Sequence, residues 1–378
     1  MMNTLKSLRL PAIPLTTWLI GLGLLFLAMH PVVWLTNTWF DPAYDSSGFW
    51  IFWLAVILFS WSFTSPSGTQ PVSDQRKGVW LLLAASSLRV ISQLMAVNIL
   101  GAMTLAVDVY ALGLMTGLKD RRRAVSPFWL AVVFGFALPI TNVLQPMLGH
   151  LLQQLSALGA ASLLGVFYRV HVEGIRILLA GQNILVDLPC AGTQSATYLL
   201  LFFALLMALK RPKVIIAIPG LLIALLLAYL ANTVRITVLA IGIAFPNVVG
   251  HVDVMSQPWH DEIGLAFLLF FGLLPLLWLS RRLPGDAANH QAKPVPQEHL
   301  RPGVWFTHLK LWLACGFVAC ALLIISLPAH PMDVSPPLKP VCLPMSLEGE
   351  PAVRLPLTEK ETAYYTCYFP PSSTRSCM

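Results

Sequence analysis

Three side chains in this sequence could together carry out nucleophilic chemistry: a thiol, a guanidinium and an imidazole. Cys190 lies in Pro189-Cys190-Ala191-Gly192-Thr193-Gln194-Ser195, Arg235 in Asn232-Thr233-Val234-Arg235, and His260 in His260-Asp261-Glu262-Ile263-Gly264. The reactive form of cysteine is the thiolate, whose pKa falls beside cations or at a helix N-terminus. Cys190 immediately precedes an apolar helical stretch whose positive end its sulfur can approach. An imidazole can hold the thiol proton and pass it to a leaving amine. A guanidinium is always charged and carries five donors, so it can stabilise an oxyanion or orient a carbonyl. Gly192 allows close approach of a peptide backbone. Ser195, Asn232, Glu262 and Gly264 belong to the same segments and form the supporting set. Glu262 could orient the imidazole, or could simply suit a helix N-terminus. Taken singly, each residue has a commoner structural explanation: a packed thiol, a snorkelling arginine, a polar helix cap. Their joint placement at the ends of three apolar segments is what favours chemistry.

Those segments are read as membrane spans. The chain is 57% hydrophobic and 11% charged, with mean hydropathy +0.72. A soluble domain carries roughly 25% charged residues, so the surface of this chain matches lipid rather than water. A spanning helix needs about 20 apolar residues. The candidates are 15–36, 48–64, 79–97, 100–118, 127–147, 193–209, 214–232, 263–280 and 309–327. The fold class expected is therefore an all-α polytopic membrane protein with about nine transmembrane helices. The stretch 233–245 either extends the seventh span or lies in the interface. The first apolar run exceeds the core of a signal peptide and reads as an uncleaved first helix.

Basic residues fall before span one (Lys6, Arg9), between spans two and three (Arg76, Lys77), after span four (Lys119, Arg121, Arg122, Arg123), after span six (Lys210, Arg211, Lys213) and after span eight (Arg281, Arg282). With nine alternating spans all of these share one side, the cytoplasm, which also explains the net charge of +7 without nucleic acid. The opposite side carries Asp41, Asp45, Glu173 and Asp187, and with them the mouths where Cys190, Arg235 and His260 sit. On that outer side, 151–164 reads as a surface-lying helix. His171 to Asp187 reads as a small β-hairpin turning at Gly181-Gln182-Asn183. The Pro-rich region 283–308 reads as a cytoplasmic linker and 328–378 as an outer tail.

The ordered set Cys190-Ala191-Gly192, Asn232-x-x-Arg235 and His260-x-x-x-Gly264, each adjoining a span, resembles the exosortase/archaeosortase family over roughly residues 80–280. The resemblance implies a transmembrane domain over 1–282 and a Cys-Arg-His cysteine transpeptidase needing no cofactor. It would sit in a bacterial inner membrane with its N-terminus cytoplasmic and its active site periplasmic. Its partners would be the lipid bilayer and membrane-anchored proteins bearing a C-terminal signal: a short motif such as Pro-Glu-Pro, a transmembrane helix and a basic cluster. Cleavage near the motif would pass the new C-terminus to an acceptor, in association with exopolysaccharide production. Span 309–327 and the tail 328–378 have no counterpart in that pattern.

Arg89 and Asp108 fall inside spans three and four at similar depth, where unpaired charge is costly; an ion pair across the helix hairpin is expected, with contact to a substrate helix as the alternative. Arg176 could grip a substrate carboxylate. Cys315 and Cys320 read as packed thiols, and among Cys342, Cys367 and Cys377 one disulfide is plausible in an oxidising compartment. Cysteine and histidine spacing does not suggest a metal site. A polytopic transporter built on Arg89, Asp108 and Arg235, or a non-catalytic polysaccharide-assembly scaffold, are the competing readings; the absence of an internal repeat and the intact triad weigh against them.

Overall fold

The computed structural model of the chain describes residues 15–42, 44, 46–66, 72–95, 97–212, 214–249, 253–256, 259–282, 315–316, 318–319, 321–326, 346–347 and 350–351. The linker 283–308 and the cysteines Cys320, Cys342, Cys367 and Cys377 lie outside the described residues, as does most of the tail.

The described chain is mostly helical. In order come α1 (Leu15–Phe40), α2 (Gly48–Phe63), α3 (Val72–Leu94), α4 (Asn98–Met115), α5 (Pro127–Gly135), α6 (Ile140–Leu164), strands β1 (Val170–Glu173), β2 (Arg176–Leu179) and β3 (Gln182–Leu185), then α7 (Thr193–Lys210), α8 (Val214–Ala244), α9 (Trp259–Phe267), a π-helical segment (Leu268–Leu273) and α10 (Leu274–Ser280). Residues of 315–326 are helical where described, and β4 (Ser346–Leu347) pairs antiparallel with β5 (Glu350–Pro351). Among the described residues, five helices are long and apolar enough to cross a membrane: 21–40, 98–115, 193–210, 215–244 and 259–280. Helix α2 is apolar but shorter.

Three sequence expectations need correction. The span expected over 127–147 is not one helix. α5 stops at Gly135, the chain turns through 136–139, and α6 starts afresh at Ile140. Pro139 lacks an N–H and disfavours helical backbone at the residue before it, so the apolar run is cut there. The separate surface helix expected over 151–164 is the second half of the 25-residue α6. The expected hairpin is a three-stranded antiparallel meander, ordered β1-β2-β3. Its first turn is at Gly174 (φ 62°), which the hairpin reading missed; its second is at Ala180 (φ 53°) and Gly181 (φ 80°). The 31-residue α8 absorbs the ambiguous stretch 233–244 as helix.

The chain divides into two compact units. One comprises 1–46, 79–108 and 294–378. Within it Arg89, fully buried, forms an ion pair with Asp108, and its Nε donates to Thr104 Oγ1 at 3.0 Å. Buried charge is tolerable only when paired in this way. The Gln93 amide donates to the carbonyl of Ile324 at 2.8 Å.

The other unit comprises 47–78 and 109–293. Its intramembrane packing joins α7 (Leu199, Phe203, Met207) to α8 (Ala217, Ala224, Ala228) and α10 (Leu276). Alanines on α8 allow the close helix approach that association in lipid requires. A second cluster packs α6 (Ala157, Ala160, Leu164), the meander (Ile177, Leu179, Ile184, Val186) and α8 (Ile236, Ala240) around Cys190. Arg121 donates to the carbonyls of Thr116, Phe63 and Ser65, tying off the C-terminal ends of α4 and α2. The guanidinium of Arg211 donates to the Lys119 carbonyl at 3.0 Å, and Lys119 pairs with Asp74. Several basic residues read as loop charges are thus also helix-end ligands.

Candidate functional site

The meander delivers the chain through Asp187 into a 3-10 turn, Leu188–Ala191, that carries Cys190. The Cys190 N–H donates to the Asp187 carbonyl at 2.9 Å. Gly192 follows with φ 88° and caps α7. Left-handed backbone costs an L-residue roughly 1–2 kcal/mol, and space is short as well: a Cβ at Gly192 would lie 2.7 Å from Cγ and Nδ2 of Asn232. Asn232, buried on α8, uses that closeness. Its Nδ2 donates to the Cys190 carbonyl at 3.1 Å and to Ser156 Oγ at 3.0 Å. From α6, Gln153 Nε2 donates to the Val186 carbonyl at 2.9 Å. The cysteine turn is therefore held from α6 and α8 together, each bond worth about 1 kcal/mol.

Arg235 lies one turn beyond Asn232 on α8 and is 8% exposed. Its Nη2 lies 2.7 Å from Nε2 of His260, which sits in the first turn of α9. The same Nε2 is 3.7 Å from Cys190 Sγ. A guanidinium has no lone pair to offer, so Nε2 must be the acceptor and the ring proton must sit on Nδ1. One imidazole lone pair thus faces both the thiol and the guanidinium. Gly264, one turn after His260, leaves room for this arrangement: a Cβ there would be 3.1 Å from Arg235 Cζ and Nε. Among the described residues, the buried Nε of Arg235 and Nδ1 of His260 have no hydrogen-bond partner.

Burial pushes the Cys190 thiol above the usual thiol range; Arg235 opposes the shift and Asp187 adds to it. The sequence suggested a thiol acidified by cations and a helix end. In the structure burial outweighs the opposing pull of Arg235, which favours a protonated resting sulfur.

The structure brings Cys190, Arg235 and His260 into contact, with Gly192, Asn232 and Gly264 packed directly against them. Ser195 is half-buried in the first turn of α7 and, among the described residues, makes no hydrogen bond to the three. Glu262 is exposed; the carboxylate electrostatically coupled to the imidazole is its neighbour Asp261. Arg176 is exposed on β2, opposite Glu173 and Leu185 in register, and makes no contact with the thiol group among the described residues. Sequence reasoning missed Gln153 and Ser156. Their signal was faint: they are two of several polar residues along α6, which also carries Gln145, His150, Gln154 and Ser162.

A family profile described as transmembrane exosortase matches residues 34–278, which is well over half of the 378-residue chain and begins well before residue 80. No curated protein sequence and no solved structure matches significantly.

Proposed function

This chain belongs to the transmembrane exosortase family, and on that premise we propose that Cys190 is the nucleophile of a membrane cysteine transpeptidase that processes C-terminal sorting signals. The observation that supports this best is the single imidazole nitrogen, Nε2 of His260, lying 3.7 Å from the thiol and 2.7 Å from the Arg235 guanidinium.

In the proposed reaction Cys190 Sγ attacks the scissile carbonyl of the substrate while its proton moves to His260 Nε2. The carbonyl oxygen becomes an oxyanion. The proton transfer also removes the lone pair that held Arg235, and imidazolium and guanidinium then repel. Arg235 is released at the moment negative charge develops beside it, and its freed donors turn to the oxyanion. Collapse breaks the C–N bond, and the leaving amine takes the proton from Nε2. The thioester left on Cys190 is then attacked by an acceptor nucleophile, whose proton again passes through Nε2, and the thiol is regenerated. This sequence starts from a protonated thiol, so it needs no preformed thiolate.

The finer features of the reading follow the same premise. An orientation with the basic loops cytoplasmic would place this site on the periplasmic side of a bacterial inner membrane. Substrates would be membrane-anchored proteins with a Pro-Glu-Pro-like motif, a transmembrane helix and a basic end, linked to exopolysaccharide production. Domain limits of 1–282 for the catalytic body, 283–308 for a linker, 309–327 for a further span and 328–378 for an outer tail complete it.

The test is processing of a tagged substrate in cells. Cys190→Ala, Arg235→Ala and His260→Ala should each accumulate full-length precursor, while Cys315→Ala, whose thiol is exposed and remote in sequence, should not. Normal processing by Cys190→Ala would remove the enzyme assignment.

A further inference from the structure

We propose that the free edge of β3 is the docking rail for the substrate: an extended peptide segment adds to it as a fourth strand and so presents its scissile carbonyl to Cys190. This deepens the transpeptidase reading and rests on it.

The meander is ordered β1-β2-β3, so β3 is paired on one side only. Its register sets Ile184 opposite Ile177 and Gln182 opposite Leu179, across the two-residue turn Ala180–Gly181 in which both residues have positive φ. In such a turn the closing pair is hydrogen-bonded, and bonded pairs alternate along an antiparallel ladder. Gln182 and Ile184 therefore point their backbone groups at β2. The N–H of Val186, bonded to the Ile175 carbonyl at 3.0 Å, continues that phase. The N–H and C=O of Asn183 and Leu185 must face outward, and among the described residues nothing pairs with them. Both residues are exposed.

An unpaired edge is a template for another strand, and strand addition lets backbone bonds supply affinity while side-chain pockets supply specificity. Here the edge runs directly into the cysteine turn. A small recess of about 20 Å3 lies beside it, walled by Leu185 and Val186 on one flank and by Ile236, Leu239 and Ala240 of α8 on the other, with Cys190 among its lining. Its wall is apolar. A strand laid on β3 alternates its side chains, so one of them, close to the scissile bond, would enter this recess. The recess accepts a small apolar side chain and excludes a charged or aromatic one.

Proline tests the rail directly, because at Leu185 it deletes an outward N–H and leaves the β2–β3 ladder intact. Leu185→Pro should process a tagged substrate about tenfold more slowly than Leu185→Ala, the weight of one to two backbone hydrogen bonds. Alkylation of Cys190 by a small maleimide in membranes should be equal in the two variants, reporting an intact site. Equal processing by Leu185→Pro and Leu185→Ala, in a strain where Cys190→Ala blocks processing, overturns the rail but not the enzyme. If Leu185→Pro does not fold, photo-crosslinking decides. A benzoylphenylalanine at position 183 in a Cys190→Ala background should capture uncleaved precursor, and one at position 170 on the opposite edge should not. Capture at 170 alone, or of a second copy of this chain at 183, refutes the proposal.

Discussion

Gly264→Ala separates positioning from folding. The added methyl would stand 3.1 Å from Cζ and Nε of Arg235 and 3.3 Å from Nη2, whereas comfortable contact begins near 3.5 Å. The guanidinium must retreat by roughly 0.3–0.5 Å, and the 2.7 Å contact between Nη2 and His260 Nε2 stretches in proportion. A misplacement of 1 Å at a reacting centre costs on the order of a hundredfold, so about half of that on the logarithmic scale, roughly tenfold, is expected here. Stability should respond differently. Alanine improves on glycine inside a helix by up to about 1 kcal/mol, which offsets the crowding. Pulse-chase of a tagged substrate should show processing slowed about tenfold, while the melting temperature of the purified protein in detergent stays within a few degrees of wild type. In an Arg235→Ala background the same substitution should add no further loss, because the group it displaces is gone. Wild-type processing by Gly264→Ala, or an additive loss on top of Arg235→Ala, would refute the reasoning.

Gly192→Ala meets both a left-handed backbone and the Asn232 side chain, and should lower stability by about 2–4 kcal/mol. Adding Asn232→Ala should recover only part of the loss, since the positive φ remains; full recovery in thermal melts would show that crowding alone was at fault. Asn232→Ala by itself removes the bonds to Ser156 and the Cys190 carbonyl. It should cost about 2 kcal/mol and slow processing more than Ser156→Ala does; the reverse ranking would count against Asn232 as the clamp. The rate of Cys190 alkylation should rise with pH through a midpoint above that of a free small-molecule thiol run alongside, because burial favours the protonated form. Removing one negative neighbour with Asp187→Asn should lower the midpoint, and removing Arg235 should raise it. A midpoint below the free thiol would contradict the buried resting state.

The sequence exposes most of what hydrophobicity alone controls. Apolar runs locate α1, α2, α4, α7 and α8, and the segment ending in α10, because lipid demands continuous helix there. It hides what depends on chain direction or on neighbours. The run Phe128 to Ile140 is apolar, and a hydropathy window cannot see Pro139 cutting it. The sequence reads as a hairpin rather than a meander because the stronger turn signal at Gly181 overshadows Gly174. Within the site, Cys190, Arg235 and His260 are visible because reactive types beside apolar helices are unusual. Gln153 and Ser156 are not, since which of the several polar residues on α6 matter shows only once α6 lies against the cysteine turn. The protonated resting thiol was invisible for a related reason: desolvation is a property of the packed neighbourhood, not of the residues next to Cys190 in sequence.

The π segment Leu268–Leu273 separates the helix carrying His260 and Gly264 from the helix carrying Leu276. Each residue in an α-helix advances the screw by about 100°, and a π turn holds an extra residue. Six residues at the wider π pitch turn the chain about as far as five at the α pitch, so the segment absorbs one extra residue without shifting the phase between the two screws. Deleting one residue and closing the segment as α-helix would keep the imidazole in phase with the anchoring at Leu276, whereas inserting one into an already regular helix would swing it about a quarter-turn away from the sulfur.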